Sequence, residues 1–400
     1  MIQISERLKK IKPSPTLALA AKASELAAQG HDVISLSVGE PDWDTLPCSA
    51  EAGIEAIRKG LTKYSPSNGT PELRKAIAAS IKKQLSLEYD FASQITVSTG
   101  GKFVLHSAFQ SVLNPGDEVI IPAPYWVSYP TMVEMAEAKP VIVPTHEGTG
   151  FKMTAEMLRK ALTPKTRAIV YSSPSNPTGE VYSKAEFAEW VRVLKDFPNV
   201  LVITDDIYNT LVFDGSVAPH ILEVEPGFKD RTLVVNGASK TFSMTGWRIG
   251  WASGPKEIIS AMTRFQSQTV SCAATFAQKA AAVGLEKGDD ELRQSVVKLK
   301  ARLEYSLKLM QKIPQLKARR PGGAFYLWVD ITSCLNKKWR DQDIKTSSDF
   351  ARLFLEDKKV AVVPGIEFGQ DGYFRMSFVL SETKLDEAFK RLGAFVAEIA

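Results

Sequence analysis

LVITDDIY (residues 201–208) and TLVVNGASK (residues 232–240) share a plan that decides the fold: a short apolar run followed by polar side chains. A strand that is buried on both faces has such a continuous apolar sequence, rich in β-branched residues. We predict one strand at Leu201–Ile203 and a second at Thr232–Val235. Because such strands pair in parallel between covering helices, their polar ends are expected to meet at one edge of a sheet.

The same plan continues on both sides of these two strands. A helix is predicted over Lys102–Val112, and Asn114-Pro115-Gly116 follows as a turn. Further strands are predicted at Ile95–Val97, Glu118–Ile121, Val141–Val143, Arg167–Tyr171 and Ile249–Ala252. This alternation of strands and helices predicts the α/β class, with a mainly parallel sheet and helices on both of its faces.

The pattern changes near Asp289, where a long charged helix is followed by strands predicted at Ala324–Val329, Val360–Val363 and Tyr373–Phe378. This mixture predicts a second, smaller α+β domain, and an amphipathic helix at Leu17–Ala28 is expected to join it. We therefore divide the chain into an N-terminal arm that belongs partly to the small domain (1–45), a large domain (46–288) and a small C-terminal domain (289–400).

The overall composition is that of a globular protein. Of the 400 residues, 44% are hydrophobic and 24% are charged, which excludes a disordered, collagen-like or coiled-coil chain. The 50 lysines and arginines exceed the 45 aspartates and glutamates by only five and form no basic run, so nucleic-acid binding is not expected. No apolar stretch approaches the ~18 residues of a membrane span.

The N-terminal residues and the cysteines indicate the compartment. Basic residues between Arg7 and Lys12 precede the apolar run Leu17–Ala21, which is shorter than the ~7–15 residues of a signal-peptide core. The three cysteines are widely separated and odd in number, which favours a reducing compartment over a disulfide framework. We therefore expect a cytoplasmic protein with no membrane partner.

Four polar clusters each follow a predicted strand, at the edge where open α/β sheets bind their ligands. They are Thr99-Gly100-Gly101, Asn176-Pro177-Thr178-Gly179, Asp205–Tyr208 and Ser239-Lys240. Each cluster alone is more typical of a turn, a helix cap or an exposed lysine, but their arrival at one edge favours a binding site. No metal site is expected, because the four histidines lie far apart at no ligand spacing: His31, His106, His146 and His220.

The four clusters suggest a specific chemistry. Two glycines that open a helix let backbone N–H groups approach a phosphate, which Arg248 can also bind through two hydrogen bonds. Lys240 can form a Schiff base with an aldehyde. Asp205 can pair with a protonated ring nitrogen, while Tyr208 and Asn176 can hold a phenolate oxygen. Phosphate, aldehyde, basic ring nitrogen and phenolate together predict pyridoxal 5′-phosphate as the cofactor.

GASKTFSMTGWRIG (237–250) resembles the cofactor-attachment signature of the class I pyridoxal-phosphate-dependent aminotransferases. Other segments match that family in order and approximate spacing over essentially the whole chain: VGEPD (38–42), KYSP (63–66), PYW (124–126), NPTG (176–179), DDIY (205–208) and FRMS (374–377). The chain is similar to the bacterial aspartate/prephenate aminotransferase branch. The resemblance implies the fold type I architecture, a homodimer, and amino acid and 2-oxo acid substrates.

The resemblance also implies roles for the matching residues. Lys240 would bind the cofactor covalently and move the substrate proton, Asp205 would pair with the ring nitrogen, and Tyr208 would hold the phenolate oxygen. Cofactor binding would be completed by Gly100, Gly101, Lys102, Trp126, Asn176, Arg248 and Tyr64 of the partner subunit. The substrate would contact Gly39, Lys102, Trp126, Asn176 and Arg375. In this set Arg375 would bind the α-carboxylate and Lys102 a second carboxylate.

Two sequence details bear on these roles. Phe374, Met376 and Phe378 alternate with Arg375, so a strand would bury one face and present the arginine on the other. Gly237 departs from the pattern, because many relatives carry a phosphate-binding serine three residues before the lysine. That departure leaves a backbone N–H or Ser239 to replace the missing contact.

The resemblance favours transfer of an amino group from aspartate or glutamate to a 2-oxo acid such as 2-oxoglutarate or oxaloacetate. A prephenate or aromatic aminotransferase stays open, as does a pyridoxal-phosphate-dependent β-lyase or decarboxylase on the same fold. A transcription regulator that reuses the fold is disfavoured, because the matching segment begins by about residue 17. A nicotinamide dehydrogenase is disfavoured too, because Thr99-Gly100-Gly101-Lys102 is not a GxGxxG turn.

Overall fold

The computed structural model describes residues 3–9, 11, 13, 15–215 and 217–400, so Lys10 and Lys12 of the basic N-terminal cluster lie outside it. The α-helices of this part of the chain are α1 Glu6–Lys9, α2 Pro15–Ala28, α3 Pro47–Arg58, α4 Pro71–Leu85, α5 Gly101–Val112, α6 Tyr129–Met135, α7 Ala155–Ala161, α8 Lys184–Leu194, α9 Ile221–Val224, α10 Ala238–Thr241, α11 Lys256–Ser267, α12 Thr275–Lys287, α13 Asp289–Met310, α14 Ser347–Lys358 and α15 Glu382–Ala397. The strands are β1 Ile34–Ser35, β2 Ile95–Ser98, β3 Glu118–Ala123, β4 Lys139–Pro144, β5 Thr166–Ser172, β6 Leu201–Asp205, β7 Thr232–Gly237, β8 Gly250–Ser253, β9 Lys317–Ala318, β10 Tyr326–Asp330, β11 Lys337–Trp339, β12 Gln342–Ile344, β13 Val360–Ala361, β14 Val363–Pro364 and β15 Tyr373–Ser377.

The large sheet contains the seven strands predicted between residues 95 and 253, in the order β2-β8-β7-β6-β5-β3-β4. Strands β3, β4, β5, β6 and β7 pair in parallel. Strand β8 runs antiparallel to both of its neighbours, β2 and β7. The predicted α/β class with a mainly parallel sheet is confirmed, and the antiparallel direction of β8 is a detail that the sequence pattern did not indicate.

Two apolar layers explain why the central strands are continuous apolar runs. Along β6, Ile203 packs with residues of α5, α6 and α11, whereas Val202 packs with residues of α7, α8 and α9. Successive strand residues point to opposite faces, so burial of both faces requires apolar residues at every position. Helix α8 begins with a capping box, in which Ser183 and Glu186 each accept the other's backbone N–H.

The second sheet has the order β14-β15-β10-β9 and shares one apolar core with α13, α14 and α15. The single strand predicted at Val360–Val363 is wrong, because two shorter strands replace it. Val360–Ala361 pairs in parallel with β1, whereas Val363–Pro364 pairs antiparallel with β15. The chain changes partner at Val362, so the apolar run is continuous while the strand is not.

Helix α2 packs against residues of this smaller unit, through a cluster that contains Ala23, Leu355 and Ala361. The long helix α13 begins at Asp289, where the small domain was predicted to begin. The domain limits 1–45, 46–288 and 289–400 stay a prediction. Among the described residues, no helix is both long enough and apolar enough to span a membrane.

Candidate active site

A cavity of about 490 Å³ lies at the carboxyl edge of the large sheet and also contacts the second sheet. It is lined by ten of the residues predicted from the sequence: Gly39, Gly101, Lys102, Trp126, Asn176, Asp205, Tyr208, Lys240, Arg248 and Arg375. Two predicted residues do not line it. Gly100 lies directly behind the cavity wall, against the guanidinium of Arg248. Tyr64 is 91% exposed on the surface of the chain.

Asp205 ends strand β6 and is almost completely buried. Its carboxylate accepts a hydrogen bond of 2.6 Å from the hydroxyl of Tyr129, a residue that the sequence analysis did not single out. Burial first, and then the neighbouring charge of Asp206, raises the pKa of Asp205 to about 6, although the hydrogen bond from Tyr129 acts in the opposite direction. A positive group placed beside this carboxylate would favour its ionised form.

Asp206, the next residue in the chain, does not line this cavity. The residue is buried, and its Oδ2 atom lies 3.4 Å from Nε2 of His220. Nδ1 of His220 accepts the backbone N–H of Leu222, so a neutral imidazole carries its proton on Nε2, facing Asp206. Because strand residues alternate in direction, Asp206 points away from the cavity that Asp205 faces.

Lys240 lies in the short helix α10, which follows strand β7. Its amino group donates a hydrogen bond to the carbonyl of Gly39. The pKa of Lys240 is lowered to about 8, first because the surrounding protein disfavours its charged form, and then by the positive charges of Arg375 and Arg248. The unprotonated, nucleophilic form of this amine is therefore more populated at neutral to mildly basic pH than in an ordinary lysine.

Gly100 and Gly101 open helix α5 beside Arg248. Gly100 has φ +92°, a conformation that favours glycine, and a Cβ at this position would collide with the Arg248 guanidinium. Gly250 of strand β8 packs so closely that a Cβ there would collide with the backbone of Gly100 and Gly101. The first N–H groups of a helix have no partner within it, so this end of α5 and Arg248 form a cradle for an anion.

Arg375 is buried on strand β15. It donates hydrogen bonds to Oδ1 of Asn176 (2.9 Å) and to the carbonyl of Ser37 (2.7 Å), while its Nε has no partner among the described residues. Lys102 is a second cation of the cavity, with its ammonium 5.1 Å from the centre of the Trp126 ring. Although Lys102 as a whole is exposed, the protein around its ammonium lowers its pKa, as does the charge of Arg248.

The structure explains the glycine at position 237. A Cβ on Gly237 would lie 2.9 Å from the carbonyl oxygen of Ile249 and 3.1 Å from Cδ1 of Ile207. Both distances are shorter than ordinary carbon contacts, so a serine would fit only after its neighbours moved. Ser239 lines the cavity, which keeps it available to replace the missing hydroxyl.

The fold and these side chains together define a class of protein, the fold type I enzymes that use pyridoxal 5′-phosphate. The comparison with known families is more specific, because residues 31–392 match the family of class I and II aminotransferases. The chain belongs to this family, and it is a pyridoxal-phosphate-dependent aminotransferase.

Individual relatives are similar along their whole length. The probable aspartate/prephenate aminotransferase of Rickettsia bellii is 44% identical, over 97% of this chain and 98% of the relative. The aspartate/prephenate aminotransferase of Cereibacter sphaeroides is 43% identical, over 100% of both chains. The crystal structure of the Rhizobium meliloti aspartate aminotransferase superposes with a TM-score of 0.96 at 41% identity, over 100% of both chains. The Thermus thermophilus aspartate aminotransferase with maleate gives a TM-score of 0.91 at 38% identity, over 99% of this chain and 100% of the other.

The packing of Gly250 against the anion cradle makes cofactor affinity sensitive to one methyl group. We expect Gly250→Ala to raise the dissociation constant of pyridoxal phosphate about five- to a hundredfold, because overpacking costs ~1–3 kcal/mol. Fluorescence titration of the apoenzyme with the cofactor measures this change. Gly246→Ala is the control, since a Cβ there meets no atom within 4 Å. Equal affinities of both variants would contradict the proposed cradle.

The lowered pKa of Lys240 predicts how cofactor attachment depends on pH. The free amine is the nucleophile, so the rate of attachment to the apoenzyme should rise as pH approaches about 8 and level off above it. An ordinary lysine would continue to gain until pH ~10.4. Stopped-flow absorbance measures the rate, and borohydride reduction traps the linked product. Lys240→Ala should keep its fold and yield no trapped product, whereas Lys102→Ser should be trapped normally. Trapping in Lys240→Ala would refute the assignment.

Proposed function

We propose that this enzyme transfers the amino group between a dicarboxylic amino acid, aspartate or glutamate, and a 2-oxo acid such as 2-oxoglutarate or oxaloacetate. The observation that carries the proposal is that two cations, Arg375 and Lys102, line the same cavity as Lys240. A dicarboxylic substrate has one carboxylate for each cation. The names of the similar proteins, aspartate and aspartate/prephenate aminotransferases, support the same substrate class.

The donor set of the cavity fits pyridoxal phosphate. The cradle formed by Gly100, Gly101 and Arg248 suits its phosphate, and the buried carboxylate of Asp205 suits its ring nitrogen. Tyr208 and Asn176 are both buried in the cavity wall, where they would hold the phenolic oxygen, and Trp126 would stack on the ring. Lys240 would hold the aldehyde covalently. In this arrangement each polar group of the cofactor has a matching residue.

The bound cofactor supplies an aldehyde that condenses with amino groups and a ring that withdraws electrons from the substrate α-carbon. Lys240 would take the proton from that carbon once its amine is free, and would deliver it to the C4′ atom of the cofactor. Its pKa of about 8 suits both directions, because neither the protonated nor the unprotonated form is strongly favoured near neutral to mildly basic pH. Asp205, positioned by Tyr129, would keep the ring nitrogen protonated.

The α-carboxylate of the substrate would bind to Arg375, which Asn176 and the Ser37 carbonyl hold in place. Arginine suits this role because its planar guanidinium binds a carboxylate through two parallel hydrogen bonds. The second carboxylate would reach Lys102. Prephenate is the second candidate substrate, because it too carries two carboxylates and several similar proteins are named for it.

The dimer and the compartment belong to the same proposal. Exposed large apolar side chains concentrate on one short stretch of the chain, which contains Ile54, Ile57, Leu61 and Tyr64. A second copy would cover this surface, and Tyr64 of the partner subunit would then reach the cofactor phosphate. We also propose a cytoplasmic location, since Cys48, Cys272 and Cys334 are free thiols.

Substitution of Lys102 tests the proposed preference for dicarboxylic substrates. A charge-assisted hydrogen bond contributes ~1.5–3 kcal/mol, so Lys102→Ser should lower kcat/KM for aspartate about ten- to a hundredfold. The kcat/KM for alanine or phenylalanine should change little. Loss of the cofactor absorbance measures these values over a panel of amino donors. Prephenate is tested as the acceptor, with glutamate as donor, by the recovery of that absorbance. An equal loss for acidic and neutral donors would mean that Lys102 serves the phosphate. Release of ammonia would indicate a lyase instead.

Substitution of a residue on the exposed apolar stretch tests the proposed dimer. We expect the enzyme to sediment at twice its chain mass of 44.0 kDa, and Ile57→Lys to shift it toward the single-chain mass. Cofactor affinity should fall with it, because Tyr64 of the partner subunit would be lost. Val297→Lys is the control, since Val297 is 69% exposed on helix α13, outside this stretch of the chain. A wild-type enzyme that sediments as a single chain would contradict the proposal.

A further inference from the structure

Tyr326 is a buried residue of the cavity to which the sequence analysis gave no role. It begins strand β10, which pairs antiparallel with β15 so that Tyr326 lies opposite Ser377 and Trp328 lies opposite Arg375. Residues two positions apart on a strand share a face, so Tyr326 and Arg375 are diagonal neighbours on one face. The tyrosine therefore reaches the cavity from the second sheet, beside the arginine.

Three contacts connect Tyr326 to different parts of the cavity. Its hydroxyl lies 2.8 Å from the hydroxyl of Tyr208. The guanidinium carbon of Arg375 lies 4.3 Å from the centre of its ring, within the range of a cation–π interaction. Its hydroxyl oxygen also packs against Gly39, where a Cβ would lie only 3.0 Å away. One side chain thus touches a proposed cofactor ligand, a proposed substrate ligand and the segment whose carbonyl accepts the Lys240 hydrogen bond.

We infer that Tyr326 is a positioning residue that couples the two ends of the site, its hydroxyl acting through Tyr208 and its ring through Arg375. The inference rests on the proposed function of those two residues. It adds a connection between Tyr208 and Arg375 that neither of their proposed roles requires by itself.

The hydroxyl acts in a definite direction. A phenol carries one proton, so when Tyr208 donates its proton to the phenolic oxygen of the cofactor, its own oxygen is left to accept. Tyr326 must then be the donor of the 2.8 Å hydrogen bond. This donation makes Tyr208 a stronger donor, because successive hydrogen bonds polarise one another. The ionised form of the cofactor oxygen is thereby stabilised.

The ring acts on Arg375. The Nε atom of this arginine is buried without a hydrogen-bond partner among the described residues, so the face of the Tyr326 ring supplies part of the stabilisation that water would give. Phe368 lies on the same guanidinium at 5.2 Å. Fixed in this way, the guanidinium presents its remaining donors to a carboxylate without a loss of side-chain freedom on binding.

The hydroxyl is tested on the holoenzyme without substrate, by titrating the absorbance of the bound cofactor with pH. Tyr326→Phe should raise the spectral midpoint by about half a unit to one unit, which corresponds to the loss of one hydrogen bond. The same substitution in a Tyr208→Phe background should produce no further shift, because the hydroxyl acts through Tyr208. Tyr171→Phe, which removes a buried hydroxyl with no partner in the described residues, is the control and should leave the midpoint unchanged.

The ring is tested by the binding of maleate, a dicarboxylate that cannot react, at a pH well below all the midpoints. Tyr326→Phe should bind maleate within twofold of wild type, whereas Tyr326→Leu should bind it about three- to thirtyfold more weakly. If Tyr326→Leu does not fold, the phenylalanine variants and the Tyr208→Phe background still decide the coupling through the hydroxyl.

The outcomes separate this inference from the proposed function. An unchanged midpoint in Tyr326→Phe, or an equal shift in the Tyr208→Phe background, overturns the coupling. Unchanged maleate binding in a folded Tyr326→Leu overturns the role of the ring. In each case the wild-type enzyme would still react with aspartate, so the proposed function would stand. A wild-type holoenzyme that fails to react with any amino donor would overturn the proposed function instead, and this inference with it.

Discussion

Burial of three ionisable side chains around one cavity is the constraint on which the rest of the structure depends. Asp205 and Arg375 are almost completely buried, and the protein around Lys240 disfavours its charged form. A charge that leaves water without a partner is strongly destabilising, so each of these groups requires neighbours held at fixed positions. The Tyr129 hydroxyl, the Gly39 carbonyl and the Asn176 amide provide them.

Each of the two sheets contributes some of these groups to the cavity. Parallel strands β6 and β7 end at one edge, so Asp205 and the short helix that carries Lys240 arrive together without any long loop. Arg375 comes from the antiparallel sheet, where Trp328 opposite and Tyr326 on the diagonal fix its position. Neither sheet contains the whole site. The polar groups of the site thus lie on strands and helices that pack elsewhere against apolar cores.

Sequence reasoning succeeded where the physical signal is local. Central strands such as β6 and β7 contain a short apolar run followed by polar residues, so their positions were readable from the sequence. The arrival of Asp205 and Lys240 at one cavity was predicted for the same reason. The direction of β8 was not readable, because antiparallel pairing with β2 and β7 depends on residues far apart in the chain. The burial of Asp206 was missed for a similar reason, since its neighbour His220 is distant in sequence. Tyr129 and Tyr326 have the pattern of ordinary core aromatics, and only their tertiary contacts distinguish them.

The position of strand β8 has a consequence for the order in which this protein can form during synthesis. Strand β2, which leads into the anion cradle, pairs within the large sheet only with β8, and about 150 residues separate the two along the chain. Gly100 and Gly101 therefore leave the ribosome long before Gly250, the residue that packs against them. The end of helix α5 that would hold the phosphate thus stays incomplete until nearly two thirds of the polypeptide has been made. Binding of the cofactor phosphate at this helix end would consequently come late in synthesis, after the strands of the parallel core have been made.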